Sequence, residues 1–282
     1  MNNCEKINVL IISGLLTREH SYRKLNDYLY QMLEATGRFN VKVTEEFTGA
    51  TDETLEKYQL VLINYDAKEW INDPCFTYWG DSAMDALDRF VHRGGGIAFY
   101  HSSISVGEGT PDALKQMMGG CLILEEGGRR SPKSDFVVDV AAPEHPITKG
   151  LHPHFMVTGD DFLCGISFME NTSVEVLATV YDDLKDYPQE GFPPPHMKMV
   201  YIPDGDLSKM RGVNTDAPIA WTNRYGQGRV FVVSIGHDID TMRRVDFLTL
   251  FVRGCEWAAT GNVTLDPPDR TGENRLKGWP YY

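Results

Sequence analysis

Phe90–Ser103, FVHRGGGIAFYHSS, is the stretch that decides the fold. Apolar residues at helical spacing stop at Gly94-Gly95-Gly96. A short apolar run, Ile97–Tyr100, follows and halts at His101-Ser102-Ser103. A helix, a glycine turn, a buried strand and an abrupt polar stop make the repeating unit of an open α/β sheet. Ligands of such sheets bind in the crevice outside the carboxyl ends of the strands. The glycines precede the strand, so they end a helix and do not cradle a phosphate.

Upstream, Ile7–Ile12 is a continuous apolar run, as expected of a parallel strand buried on both faces. Tyr22, Leu25, Leu29, Met32 and Leu33 recur at helical spacing and are closed by Gly37. Val41–Val43 and Leu60–Ile63 are two more strands. Ser82 is expected to cap a helix carrying Met84, Leu87 and Val91, and Pro111 to open one through Met118. This βαββαβα order predicts a doubly wound, mostly parallel α/β sheet with helices on both faces.

Downstream the pattern breaks. Residues 122–216 carry period-two strands at Phe136–Val140 and Val174–Val180 and long loops rich in proline and acid, ending near Phe192-Pro193-Pro194-Pro195-His196. They predict a β-rich peripheral layer with functional loops. Order returns with strands at Ile219–Asn223 and Val230–Ile235, joined through the glycine-rich turn Arg224–Arg229. A helix over Val245–Thr260 carries Phe247, Phe251, Cys255 and Ala258 on one face. A single domain over 1–261 is expected. The irregular tail, 262–282, ends in Trp279-Pro280-Tyr281-Tyr282 and is expected to dock on the body or on a second copy in a homo-oligomer.

The 282 residues suffice for a sizeable core, and 42% hydrophobic with 24% charged residues is ordinary for a globular chain. A net charge of −13 argues against nucleic-acid binding and against an anionic membrane surface. The longest apolar run, Ile7–Leu16, is too short and too polar to span a bilayer, and lacks the basic start and cleavage site of a signal peptide. The five scattered cysteines, Cys4, Cys75, Cys121, Cys164 and Cys255, fit a reducing compartment, and a cytoplasmic location is expected.

Four strands end in polar residues: at Ser13-Gly14 with Arg18-Glu19-His20 close behind, at Asn64-Tyr65-Asp66, at His101-Ser102-Ser103 and at Ser234–Asp238. In a parallel sheet these stops fall along one edge, the usual place of an α/β active site. His101 stands at the elbow, and Gly236 lets the backbone beside His237-Asp238 approach a ligand closely. His20 suits either the site or a helix start. Asn64 and Tyr65 suit sugar hydroxyls. His145-Pro146 and His152-Pro153-His154 read as turn residues lacking metal-ligand spacing. Asp160-Asp161 after a strand suits holding a sugar hydroxyl or acting as an acid/base, against the ordinary reading of a solvated acidic pair. Arg129-Arg130 and Lys133 suit an anionic group, with surface charge as the default reading.

In this order the pieces resemble the trehalose-utilisation, or ThuA-like, family. They are VLIISG with His20-Ser21-Tyr22-Arg23, LVLINYD with Trp70, FVHRGGGIAFYHSS, EHPITKGL at Glu144–Leu151, TGDDFL at Thr158–Leu163, PIAWTNRYGQGRVFVVSIGHD at Pro218–Asp238 and RGCEWAA at Arg253–Ala259. The chain departs from the family twice. No histidine follows Gly127-Gly128, and the family's Asp-Glu pair is Asp160-Asp161. The resemblance implies a flavodoxin-like, class I glutamine amidotransferase-like fold and a role in trehalose or keto-sugar metabolism. It also implies a nicotinamide-dependent sugar oxidoreductase as a pathway neighbour; this chain has no dinucleotide fingerprint, so that cofactor is expected on the neighbour. Glutamine hydrolysis is not expected, since the elbow holds His101 where that chemistry needs a cysteine.

The residues then favour acid/base chemistry on a sugar or keto-sugar, with no cofactor and no metal. Imidazoles titrate near ~6.5 and suit proton transfer at neutral pH. His101 and His237 are the expected acid/base pair. His20, Asn64, Tyr65, Ser102, Asp161 and Asp238 are the expected substrate-binding residues, with Trp221 as a stacking platform. Two alternatives stay open: a non-catalytic carbohydrate-binding or regulatory module, and a metal-assisted hydrolase using His20, His101 and His237. A nucleophilic Ser102 served by His237 and Asp238 is disfavoured, because adjacent side chains diverge.

Overall fold

The structure, a computed structural model, describes residues 5–14, 22–65, 78–107, 109–188, 190–193 and 200–267. The elements run β1 (Ile7–Gly14), α1 (Tyr22–Ala35), β2 (Phe39–Thr44), α2 (Asp52–Leu55), β3 (Leu60–Tyr65), α3 (Asp81–His92), β4 (Gly96–Tyr100), β5 (Ser105–Val106), α4 (Asp112–Met118) and β6 (Gly120–Ile123). Next come β7 (Arg129–Arg130), β8 (Ser134–Val140), β9 (His154–Asp160), β10 (Leu163–Cys164), β11 (Ser167–Phe168) and β12 (Glu175–Tyr181). The chain continues with β13 (Asp216–Tyr225), β14 (Gly228–Val233), α5 (Ile239–Met242) and α6 (Val245–Thr260).

Nine strands form one sheet in the order β2-β1-β3-β4-β14-β13-β12-β8-β9. From β2 to β14 each neighbouring pair is parallel. From β14 to β9 each is antiparallel. The two halves have different burial patterns. β4 is buried at every position, because helices cover both faces of the parallel half. β8 and β9 alternate buried with exposed residues, as strands with one wet face do. The residues expected to form a peripheral β layer thus prolong the central sheet. Two small ladders, β10-β7 and β11-β6-β5, flank it.

Alternate residues of β1 feed the two sides. Val9 and Ile11 pack with Leu29 of α1 and Phe247 and Phe251 of α6; Leu10 and Ile12 share a core with Leu87 of α3 and Leu114 of α4. The turn between β13 and β14 is a two-residue hairpin, with Tyr225 opposite Gly228. Gly226 has φ +56, and a Cβ there would stand 2.7 Å from the His92 carbonyl oxygen, so glycine is required.

The expected cap of α3 is displaced. Gly80 holds the N-cap position and Asp81 opens the helix, so Ser82 lies inside the first turn and bonds to the Ala50 carbonyl instead. Asp81 supplies the negative charge that a helix N-terminus favours. Cys121, Cys164 and Cys255 are free and buried, and burial pushes the Cys121 thiol up to about 12. They pack as small apolar residues, as expected. Cys4, Cys75 and the tail from residue 268 lie outside the described residues. No helix among the described residues is long and apolar enough to cross a membrane.

Candidate functional site

β4 delivers His101 to the carboxyl edge of the sheet in a left-handed conformation, φ +46. That region is uncommon for a bulky side chain and marks a sharp elbow. The strained residue is the histidine itself, and Ser102 follows it. His101 is buried, and its Nδ1 lies 2.8 Å from the Ser234 carbonyl oxygen. A carbonyl only accepts, so Nδ1 carries the proton and Nε2 carries the lone pair in the neutral ring.

The neighbouring strand, β14, ends two residues before Ile235-Gly236-His237. Gly236 has φ +99, and a Cβ there would meet the Tyr100 hydroxyl at 2.8 Å. The Tyr100 hydroxyl donates to the Gly236 carbonyl and so ties the ends of β4 and β14 together. Burial, and then the charges of Asp160 and Asp238, hold that phenol well above its usual value, so it stays a neutral donor. The His101 and His237 rings are 5.3 Å apart and 15° from parallel.

The partner of His237 comes from the antiparallel half. Asp160 and Asp161, at the end of β9, are wholly buried. This corrects the expectation of a solvated acidic pair. His237 Nδ1 lies 2.8 Å from Asp161 Oδ2, and Arg130 Nε lies 3.6 Å from the same oxygen. Asp160 Oδ1 accepts from two backbone amides, Asp161 at 2.9 Å and Asp238 at 3.3 Å. Burial alone would raise both carboxyls. For Asp161 it is outweighed by the His237 hydrogen bond and the charges of His101, His237 and Arg130, and the net shift is downward. For Asp160 burial prevails, helped by the charge of Asp161 against the Thr241 hydroxyl and the Asp161 amide, and the shift is upward.

The arrangement is a carboxylate–imidazole pair with a second imidazole beside it. An ionised Asp161 fixes the Nδ1–H tautomer of His237 and leaves Nε2 as the basic nitrogen. Donor atoms of His101, Asp161 and His237 lie within 4.8 Å of one another, close enough to share an ion, as do those of Asp160, His237 and Asp238. Two imidazoles and a carboxylate suit a divalent transition metal. Yet Asp161 already meets the His237 N–H and the Arg130 guanidinium. A metal on that oxygen would displace a proton and stand beside a fixed positive charge. Asp161 is therefore better suited to orienting an imidazole than to holding an ion itself.

The other expected residues fare differently. Ser102 is buried and hydrogen-bonds neither imidazole, so no nucleophile–base pair is formed there. Asp238 orients no histidine: its carboxylate pairs with Lys133 across the rim. Asn64 donates to Asn26 Oδ1 at 2.9 Å within the protein and is not presented to a hydroxyl through that amide nitrogen. Tyr65 belongs to an aromatic cluster, 5.0 Å from Trp79 and 6.0 Å from Tyr78. Burial, with the Glu46 charge, pushes its phenol up to about 12. Trp221 is fully buried with its indole N–H on the Met118 carbonyl, which overturns its expected role as a sugar platform. His20, Trp70 and His196 lie outside the described residues. His145, His152 and His154 join no potential metal-holding group among the described residues. Arg129 is wholly buried, not surface charge.

The family model described as trehalose utilisation, ThuA, matches residues 8–258. No curated protein matches the chain. Among solved structures, a ThuA-like protein from Parabacteroides merdae ATCC 43184 superposes with a TM-score of 0.73 at 22% identity, over 94% of each chain. A ThuA-like protein from Bacteroides uniformis ATCC 8492 gives 0.64 at 18% identity, over 94% of this chain and 96% of the other. A cytoplasmic protein from Salmonella typhimurium LT2 gives 0.56 at 14% identity, over 89% and 99%. At these identities the likeness speaks for the fold, whereas the family model covers most of the sequence: the chain belongs to the ThuA, or trehalose utilisation, family.

Proposed function

We propose that this protein moves a proton on a carbohydrate-derived substrate, with His237 as the base, Asp161 as its orienting carboxylate and His101 as the partner acid. The observation that carries this reading is the 2.8 Å bond between His237 Nδ1 and a fully buried, ionised Asp161. A carboxylate behind an imidazole stabilises the imidazolium that forms when Nε2 takes a proton. His101, stacked alongside, acts as the acid in its imidazolium form: it gives up the Nε2 proton and becomes the neutral ring that keeps Nδ1–H on the Ser234 carbonyl. A keto-sugar fits because the carbon next to its carbonyl is acidic, so enolisation opens isomerisation, epimerisation or elimination. The ketone would be made by a nicotinamide-dependent oxidation on another protein. Solved neighbours named as cytoplasmic proteins support a cytoplasmic setting for this chemistry.

The test is NMR of the protein with trehalose, glucose and a 3-keto-glucoside in deuterated buffer. The expected result is deuterium at the carbon beside the carbonyl, lost in His101→Ala and in His237→Gln. Ligand line broadening without exchange would replace this reading with a non-catalytic carbohydrate-binding module.

A further inference from the structure

We propose that Asp160 is a positioning residue for this centre, a protonated carboxyl that pins together the two segments carrying Asp161 and His237. The inference rests on the reading of the His237–Asp161 pair as the proton-transfer site. Asp160 and Asp161 are adjacent in the chain and equally buried, yet their oxygens have different company. Asp161 Oδ2 faces an imidazole N–H and a guanidinium. Asp160 faces neither a cation at contact distance nor a side-chain N–H among the bonds of the described residues. Its Oδ1 joins two backbone amides, one in its own segment and one at Asp238, directly after His237. That carboxyl oxygen is therefore the bridge holding the Asp161 segment against the β14–α5 loop.

The other oxygen, Oδ2, is buried without a hydrogen-bond partner, and so is the Thr241 hydroxyl that acts on the same carboxyl from α5. An ionised oxygen at that depth is expensive when the Thr241 hydroxyl, which would favour the charge, makes no formed hydrogen bond to it, and burial outweighs that hydroxyl. A proton on Oδ2 turns it into a donor, and the Thr241 oxygen can accept. The groups around Asp160 agree. Asp161 lies on its own segment, the neutral phenol of Tyr100 on β4, and His237 and Asp238 on the β14–α5 loop. The negative neighbours oppose a second charge; His237 favours one but is already engaged by Asp161. Two adjacent carboxyls are thus split into a charged orienter and a neutral anchor, the kind of separation that assigns roles in acid/base sites.

Asparagine tests this, because its amide reproduces a neutral carboxylic acid: one oxygen to accept both backbone amides and one N–H to donate toward Thr241. The full chain is followed by NMR of the His237 ring across pH in wild type, Asp160→Asn, Asp160→Ala and Asp161→Asn. Asp161→Asn is expected to lower the His237 midpoint by ~1–3 pH units, because it removes the charge facing Nδ1. Asp160→Asn is expected to move it by less than ~0.5 unit, a small fraction of that shift. Asp160→Ala should lose the protected Nδ1–H signal and reduce proton-transfer turnover by ~10–100-fold, and Asp160→Asn should restore both. If Asp160→Ala fails to fold, the comparison of the two asparagine variants decides alone. A His237 midpoint that falls as far in Asp160→Asn as in Asp161→Asn overturns the proposal. The ring titration needs no substrate, so sugars that show no exchange would refute the function without touching this result.

Discussion

Arg129 and Arg130 sit side by side on β7 and finish in opposite surroundings. Arg129 is sealed. Its guanidinium donates to Asp182, to the Tyr187 hydroxyl at 3.0 Å and to the Arg211 carbonyl, and Tyr187 in turn donates to Asp182 at 2.7 Å. Each partner is used within the protein. The network nails a long connection to the body, where Tyr187, Met210 and Val213 form a small core of their own. Arg130 faces the strand-end cluster, where Asp160 Oδ2, Asp161 Oδ1 and the Ser103 hydroxyl are buried without partners among the described residues. Buried polar groups in native proteins are paired, and the exceptions gather where a ligand or a proton is handled. Closed networks hold folds together; open ones at a strand edge do chemistry.

Breaking the closed network should be the most damaging change to the fold. Arg129→Met leaves Asp182 buried without its cation and is expected to reduce the unfolding free energy by ~3–5 kcal/mol in urea denaturation. A loss below ~1 kcal/mol would mean the network is solvated, and the contrast would fail. Breaking the open cluster should instead spare the fold. His237→Gln is expected to lower turnover ~10²–10⁴-fold while thermal unfolding changes little. A variant that unfolds but keeps its activity per folded molecule would reverse the assignment.

Acid sharpens the comparison further. The folded value of Asp161 is depressed, so its contribution to stability is complete above its unfolded value of ~3.9 and is lost as the pH falls through the folded value. Asp160 is raised, so its contribution is present below the unfolded value and is lost as the pH rises through the folded one. Asp161→Asn should therefore flatten the acid end of the stability curve, and Asp160→Asn its slope at higher pH. Curves of wild type and both variants that run parallel would show that neither carboxyl is perturbed. The smallest effect is expected at the rim. Lys133 and Asp238 are half-exposed, and Lys133→Ala should cost ~0–1 kcal/mol, less at high salt.

The parallel half was legible because its strands are continuous apolar runs with polar stops. His101 and His237 could be placed on one edge from that pattern alone. The orienter of His237 could not. Asp238 is adjacent in the chain, but the partner in space is Asp161, which stands 76 residues away. It is delivered by β9, whose register in the antiparallel half no local pattern encodes. Trp221 misled because the central residues of β13 are buried in succession, and the face that carries the indole packs on α4 and not on the crevice. The engagement of the Asn64 amide nitrogen was not legible, because its partner, Asn26, lies on the buried face of α1 between apolar residues. Asp160 and Asp161 could be read either as a solvated pair or as site acids, since depth of burial leaves no mark on a two-residue motif.

The pH dependence of deuterium exchange into a keto-sugar tests the central claim most directly. The account predicts an exchange rate governed by a titration in the histidine range, whose midpoint moves to lower pH in Asp161→Asn and stays in place in Arg129→Met. A rate that is flat through that range, or a midpoint unmoved by Asp161→Asn, would contradict it.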